Sequence, residues 1–459
     1  MLDKRDMTPM KWYLLVLGVL LGVSTVLTGC DLLQGLPKEL PPSSSIRCDV
    51  SQCYGNLGGS LLFRVDSQGQ FHRLHRLTSS EGRDTVSLLT DTTGDLYGVN
   101  EGGPYYLKEK SRGGFLWGGV LFAYRASDGS YHRLHVFKGS DGDTPVALLE
   151  PSKDLLVGCT AQGGVDNKGV LFRLDAPTKR YQILHEFKGK DGEEPVQLLC
   201  VGRTLYGCCE AGGPFGKGVV FTCSLSGQGY HILHAFNGKD GTSPISLLQT
   251  APGRLIGLTS EGGPAGVGVV FALDLGSNAY RILHAFRWED GAYPTSLVVL
   301  GNGHLYGSTA EGGTFPSGYA GGDGVVFELS PPSYTYRVLH VFHFMSEGSS
   351  PKLFSRGLGT TPERAVYGLC EAPSKGEVKA FQVSPDGVKI LPAFSLSLSP
   401  SEDVLVSDRA LAWTETGHLY VAVDIYAYGG STRWRRSVLA EYLPSGRWRV
   451  VSTLRSRGG

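Results

Sequence analysis

Several residue types recur in this chain at spacings that invite chemistry. The dipeptide Leu-His appears six times, with histidines at His75, His135, His185, His234, His284 and His340. Imidazoles serve as metal ligands and general bases. Four of these histidines belong to His-x-x-His pairs: His72/His75, His132/His135, His231/His234 and His340/His343. On a helix such a pair shares a face and could chelate; on a strand the two rings point to opposite sides. An acidic residue followed by glycine also recurs, at Glu81, Asp141, Asp191, Asp240, Asp290 and Glu347. Calcium needs six or more oxygens, whereas each of these loops offers one or two carboxylates, and only Asp141 and Asp143 come as a pair. Asp-Gly followed by proline is turn chemistry. Glu101, Glu261 and Glu311 precede Gly-Gly pairs. Paired carboxylates could run glycoside chemistry, but these recur at repeated positions, which favours structure.

The remaining reactive type is cysteine. Besides Cys30 there are Cys48, Cys53, Cys159, Cys200, Cys208, Cys209, Cys223 and Cys370. None shows the C-x-x-C spacing of a zinc site, and no histidine is singled out as partner to a thiol. Cys48 and Cys53 are close enough to form a disulfide. Cys159 and Cys208 hold equivalent places in neighbouring repeats and are candidates to face one another. No catalytic residue, metal or cofactor is expected.

These residues are spaced by a repeat. Successive Leu-His histidines lie 60, 50, 49, 50 and 56 residues apart, with weaker copies at ILPAF (390–394) and VVSTL (450–454). One clear copy, residues 194–236, holds four short apolar runs: PVQLLCV, TLYGCCE, GVVFTCSL and YHILHAF. Each is rich in Val, Ile, Leu, Phe and Tyr and bounded by turn residues, which is strand chemistry. No stretch beyond the N-terminal 30 residues sustains a helical period. Four antiparallel strands per ~50 residues is the signature of a β-propeller blade. The expected fold is all-β, with eight four-stranded blades at 43–77, 85–137, 144–187, 194–236, 243–286, 293–342, 350–394 and 404–454. The alternatives are seven blades plus an irregular terminal piece, and an open β-solenoid. In YQILHEF the residues Tyr181, Ile183, His185 and Phe187 alternate and so share one buried strand face. A buried imidazole there needs a partner, a backbone carbonyl or Asp191. The six repeated histidines belong to six blades and cannot converge on one metal.

Composition agrees with that frame. Glycine supplies 65 of 459 residues, about twice its usual share. The absence of a strict three-residue glycine period excludes collagen. Repeated Gly-Gly pairs at Gly102–Gly103, Gly163–Gly164, Gly212–Gly213, Gly262–Gly263 and Gly312–Gly313, with further pairs at 58–59 and 429–430, end second strands. They suit positive φ or close backbone approach. A phosphate cradle would need a following helix, and none is expected. With 43 basic and 43 acidic residues the formal charge is zero, which argues against nucleic acid.

The N-terminus carries an address. Lys11 precedes an apolar run, residues 12–26, which ends in Leu27-Thr28-Gly29-Cys30. A short apolar run ending in small residues reads as a secretory signal. Its end resembles the bacterial lipobox, which implies lipidation of Cys30, cleavage before it and a membrane anchor facing the periplasm or the cell surface. Met10 looks like a more usual start than Met1. The domains are then 1–29 signal, 30–45 lipidated cysteine with a Pro/Ser-rich tether, and 46–459 a single propeller. A monomer is expected.

The repeat G-x-L-Y-G-x-T-x-x-G-G … G-V-V-F-x-L … Y-x-I-L-H-x-F-x-G-x-D-G-x-x-P is carried best by NGHLYGSTAEGG (302–313) and GVVFALDLGSNAYRILHAF (268–286). It resembles the GloVer tandem repeat of bacterial exported proteins from about residue 54 to 371. The resemblance implies a propeller-like surface protein and no particular chemistry. There is a looser likeness to kelch blades.

A unique site must come from residues that break the repeat. Three insertions follow Gly-Gly positions: 104–117, 314–323 and 428–437. Equivalent loops emerge on one face of a propeller, together with the Asp-Gly turns. That face would carry Tyr105, Tyr106, Lys108, Phe115, Trp117, Phe315, Tyr319, Trp434, Arg435 and Arg436. Aromatics and arginine favour binding. The leading expectation is a lipid-anchored envelope propeller that binds a protein or glycan. A glycan hydrolase or lyase and a structural adhesion component are the alternatives.

Overall fold

The computed structural model describes residues 45–48, 52–91, 93–102, 107–108, 115–116, 118–300, 303–314, 322–343, 346–347, 349–354, 366–371, 376–398, 402–405, 411–413, 418–427 and 433–455. The chain divides into two units, Met1–Pro41 and Pro42–Gly459. Cys30 and the signal lie outside the described residues.

All elements among the described residues are strands. They form eight sheets, each joining four successive main strands antiparallel in chain order, and two of these carry one extra short strand. The blades span 45–76, 83–136, 143–186, 193–235, 242–285, 292–341, 349–395 and 402–455. Eight blades therefore replace the seven-blade alternative. The first insertion adds its own small hairpin, pairing Leu107 with Leu116 and Lys108 with Phe115.

Blades 1 to 7 each carry one cross-strand lock. A glycine in the second strand, preceded by Tyr, Val or Ile, faces the phenylalanine of Val-Val-Phe or Val-Leu-Phe in the third: Gly158↔Phe172, Gly207↔Phe221, Gly257↔Phe271 and Gly307↔Phe327. The ring lies over the glycine. A Cβ at Gly158 would meet Phe172 Cζ at 2.4 Å and the Ala147 carbonyl at 2.6 Å. The apolar faces on either side of each sheet then pack against neighbouring blades. Eight separate cores result, one per interface, and the last joins Cys53, Leu57 and Phe63 of blade 1 to Tyr420, Ala422 and Leu439 of blade 8. The ring closes by face packing, since both terminal sheets use only their own strands. First strands of successive blades touch one another through blade 7, which puts them nearest the axis and the Leu-His strands outermost.

Two expectations fail on facing. The fourth strand carries a β-bulge in seven of the eight blades; in blade 3, Phe172 pairs with Ile183 and Leu171 with His185, skipping Leu184. One extra residue reverses the facing of every later residue in the strand. Tyr181 and Ile183 therefore turn to blade 2, whereas Phe187 enters the core against blade 4, and His185 stacks on Tyr230 of blade 4. They do not share one face. Cys159 and Cys208 do not meet as candidates either. Equivalent positions point the same way round the ring, so Cys159 meets Cys209 in the core between blades 3 and 4, and Cys208 enters the next core. Both are free thiols. Cys53 is disulfide-bonded, and the residue opposite it across the first strand pair is Cys48.

Candidate binding face

The repeated histidines are each committed to a neighbour. His185 Nε2 lies 2.9 Å from Asp191 Oδ2, and the same contact is made by His75 with Glu81 (3.1 Å), His135 with Asp141 (3.0 Å), His234 with Asp240 (3.1 Å), His284 with Asp290 (3.1 Å) and His340 with Glu347 (2.9 Å). The next blade closes this pair into a clasp. Tyr230 stacks on His185 with ring centroids 3.6 Å apart, and its hydroxyl donates to the Asp191 carbonyl at 2.5 Å. Tyr131, Tyr181, Tyr280 and Tyr336 do the same at four other interfaces. The acidic side chain also accepts the amide three residues before it, as Asp191 does from Lys188 at 2.7 Å. The Asp141 and Asp143 pair is likewise spent on turn amides, from Lys138 and Thr144.

Electrostatics reflect this burial. Burial works to raise the Asp141 carboxyl, but the His135 and Lys138 hydrogen bonds outweigh it and hold it below the ordinary value. Burial pushes the His185 and His234 imidazoles down despite their carboxylates. These rings are neutral struts. Among the described residues no three His, Cys, Asp or Glu side chains gather as a metal ligand set.

The Asp-Gly turns and the Gly-Gly pairs build one face. Gly164 N donates to the Gly139 carbonyl (2.8 Å), Gly213 N to Gly189 (2.7 Å), Gly263 N to Gly238 (2.9 Å) and Gly313 N to Trp288 (2.8 Å). A side chain at Gly163, at φ 84°, would strike Asp143 N at 2.5 Å. Only glycine lets these loops nest.

The sequence-derived aromatics fall unevenly on this face. Tyr105, Tyr106, Trp117, Phe315 and Tyr319 lie outside the described residues. Lys108 and Phe115 stand opposite one another on the inserted hairpin. Trp434, Arg435 and Arg436 are not on a loop: the third strand of blade 8 begins at Arg433, so the strand absorbs them. Arg436 is spent on the Ser397 carbonyl, 2.5 Å away.

Other residues fill the face instead. Val165, Phe215 and Trp288 are 79%, 59% and 46% exposed, and all three sit beside Gly-Gly or in an Asp-Gly turn. Val165 and Phe215 follow Gly-Gly directly or by one residue, a signal that sequence reading could have used. Nearer the axis the face is acidic. Burial, Glu194 and Glu261 together raise the Glu210 carboxyl above its usual range, and burial and Asp323 raise that of Glu311.

At the opposite ends of the strands lies a constellation that sequence reading missed. Glu328, 5% exposed, accepts from His304 Nδ1 (2.6 Å), Tyr306 (3.2 Å) and Arg337 (2.6 Å). Fully buried Glu441 repeats it with His418 (2.5 Å), Tyr420 (3.0 Å) and Arg449. Burial alone would raise Glu328, but His304 and Arg337 hold it low. Two copies in blades 6 and 8 mark it as a buried strut. The shared Gly-His-Leu-Tyr at 303–306 and 417–420 was its signal.

Comparison with known proteins defines the class. The chain matches the Gloeobacter/Verrucomicrobia repeat over residues 50–213 and 201–384, and it belongs to that family. No curated protein matches its sequence. Among solved structures it is similar to oligopeptidase B from Leishmania major, with 11% identity, 84% of this chain and 54% of that one covered, and a TM-score of 0.51. A structure from a study of two prolyl endopeptidases matches at 14% identity over 93% of this chain and 60% of that one, with a TM-score of 0.49. The chain thus spans little more than half of either, and at 11% identity its likeness to oligopeptidase B is one of fold. Among the described residues no helix is long and apolar enough to cross a membrane.

Proposed function

We propose that the protein is a lipid-anchored propeller of the bacterial cell envelope that binds a protein or glycan on its Gly-Gly face. The observation that carries this reading is the exposure of Val165, Phe215 and Trp288 on that face. Turn chemistry requires none of them there, and binding residues concentrate on loops positioned by a rigid scaffold. The lipobox-like end of the apolar run supplies the anchor, since several acyl chains on Cys30 would hold it stably.

The test is capture from envelope extract, comparing intact protein with a variant lacking residues 105–116 and with Phe215→Asp. Loss of the same partner from both variants supports the reading. Identical recovery from all three, or no recovery at all, overturns it. Cys30→Ser is expected to release the protein from membranes; continued retention would remove the lipid anchor.

A second reading, a glycan hydrolase or lyase, has one feature in its favour. The Glu210 and Glu311 carboxyls are raised, as a general acid requires. It predicts turnover of an envelope glycan that disappears in Glu311→Gln.

A further inference from the structure

The junction of blades 5 and 6 departs from the repeat twice. The three interblade turns before it carry glycine at positions 139, 189 and 238, all at positive φ. Trp288 stands in that place here. Two positions before the next blade's first-strand apolar run, the neighbouring blades carry Thr144, Glu194 and Ser243, each left-handed at φ 54–56°. Here the residue is Tyr293, held at φ 55°. A bulky ring in that region is unusual and is retained only where its surroundings enforce it.

The two departures meet in space. The rings of Trp288 and Tyr293 stand 5.7 Å apart at 83°. The turn is rebuilt around them: the Asp290 and Gly291 amides both donate to the Arg287 carbonyl, where the turns of blades 2 and 3 use a Gly139↔Gly142 or Gly189↔Gly192 bridge. Trp288 is 46% exposed, so its indole is presented to solvent. Tyr293 also feels the charges of Glu261 and Glu311, which raise its hydroxyl together with burial. Neither carboxylate has an ion-pair partner among the described residues. Two aromatic rings at right angles, near carboxyl groups that make no ion pair, complement a weakly hydrated cation.

We propose that the Trp288–Tyr293 corner, with Glu261 and Glu311 near Tyr293, is a binding site for an organic cation of the alkylammonium or guanidinium type. The cation is either free or carried on a partner's side chain. The inference rests on the Gly-Gly face being the recognition surface and names the chemistry it recognises there.

The test uses the full chain and two variants that restore the residues of neighbouring blades, Trp288→Gly and Tyr293→Ser, with thermal melts confirming their folds. Tetramethylammonium and butylguanidinium are titrated by calorimetry beside the neutral isostere tert-butanol. Saturable binding of either cation and none of the isostere is expected, weakened about five- to tenfold in each variant. Equal binding of the isostere, binding unchanged in Trp288→Gly, or no cation binding to the intact chain overturns the proposal. Envelope capture in the presence of tetramethylammonium separates the sources: a displaced partner carries the cation, and an undisturbed one means that the free cation is the ligand. Capture that depends on Phe215 without any cation binding would sink this inference and leave the binding face standing. Failure of capture from the intact protein would sink that face.

Discussion

Blades 1 to 6 and blades 7 and 8 close the same ring by different means. At each of the five junctions from blade 1 to blade 6 a histidine, an acidic residue and the next blade's tyrosine lock together, as His185, Asp191 and Tyr230 do. Beyond them the parts drop out. Val388 replaces the tyrosine after His340, and Pro392 and Ser452 replace the last two histidines. Trp448 takes over at the junction of blades 7 and 8, donating from Nε1 to the Pro392 carbonyl at 2.6 Å and packing on Phe394. Phe71 faces the final junction from blade 1 without any polar clasp, stacked on Phe63 at 5.3 Å. The apolar cores are present at all eight junctions, so burial builds the ring and the clasp adds a directional bond to part of it. A polar lock fixes register and angle where non-directional burial leaves sliding room.

The largest effect should come from the part both regions share. Phe221→Ala and Phe381→Ala each empty a fully buried site over a glycine and should each cost about 3–5 kcal/mol. Denaturant unfolding measures this, and a much smaller loss at Phe381 would show that the closing blades are loosely packed. The clasp comes next. Tyr230→Phe leaves the Asp191 carbonyl without its donor and should cost roughly 1–3 kcal/mol. Its signature is faster amide exchange confined to the junction of blades 3 and 4. In the unaltered protein the fourth strands of blades 3 to 5 should exchange more slowly than those of blades 7 and 8; the reverse order would break the comparison.

Acid should then blunt the contrast. The folded His185 and His234 titrate below the ordinary 6.5 because burial opposes their charge. The unfolded chain therefore binds protons first. The junctions of blades 3 with 4 and 4 with 5 are at full strength above about pH 6.5 and weaken as pH falls below it toward the lower folded values. Asp141 and Glu81, held below their ordinary values, add a second loss under about pH 4. Blades 7 and 8 have no histidine at this position, so amide exchange at pH 5 should accelerate more at the His185 and His234 junctions than there. Equal acceleration everywhere would remove the histidines from the explanation. The smallest effect belongs to the ion pair of Lys168 with Glu193, whose side chains are 35% and 26% exposed. Lys168→Met should change stability by less than about 1 kcal/mol.

Much of this arrangement was legible in the sequence because a repeat averages its own signal. Residues 194–236 read as a blade, and the structure places that sheet at 193–235. Sequence also offered Asp191 as one of two partners for His185, and the structure chose it, since a turn of fixed length returns the chain to the same place. The candidate face was harder. Aromatics were expected on the three insertions, yet Trp434 belongs to a strand, and the exposed Phe215 and Trp288 sit in loops of ordinary length. Exposure is a property of what surrounds a side chain, and surroundings come from other blades.

The sequence by itself determined the blade repeat, its approximate boundaries and the residues that recur in it, and the structure chose eight blades over seven. These depend on local patterning: turn glycines, β-branched runs and a fixed period. Only the tertiary structure decided facing and encounter. A one-residue bulge sends His185 to the following blade. Ring geometry sets Cys159 against Cys209 rather than Cys208. The rebuilt turn between blades 5 and 6 brings the Trp288 ring to within 5.7 Å of Tyr293. Each outcome turns on the direction of a side chain relative to a neighbour, and a linear pattern fixes that direction only when no extra residue intervenes.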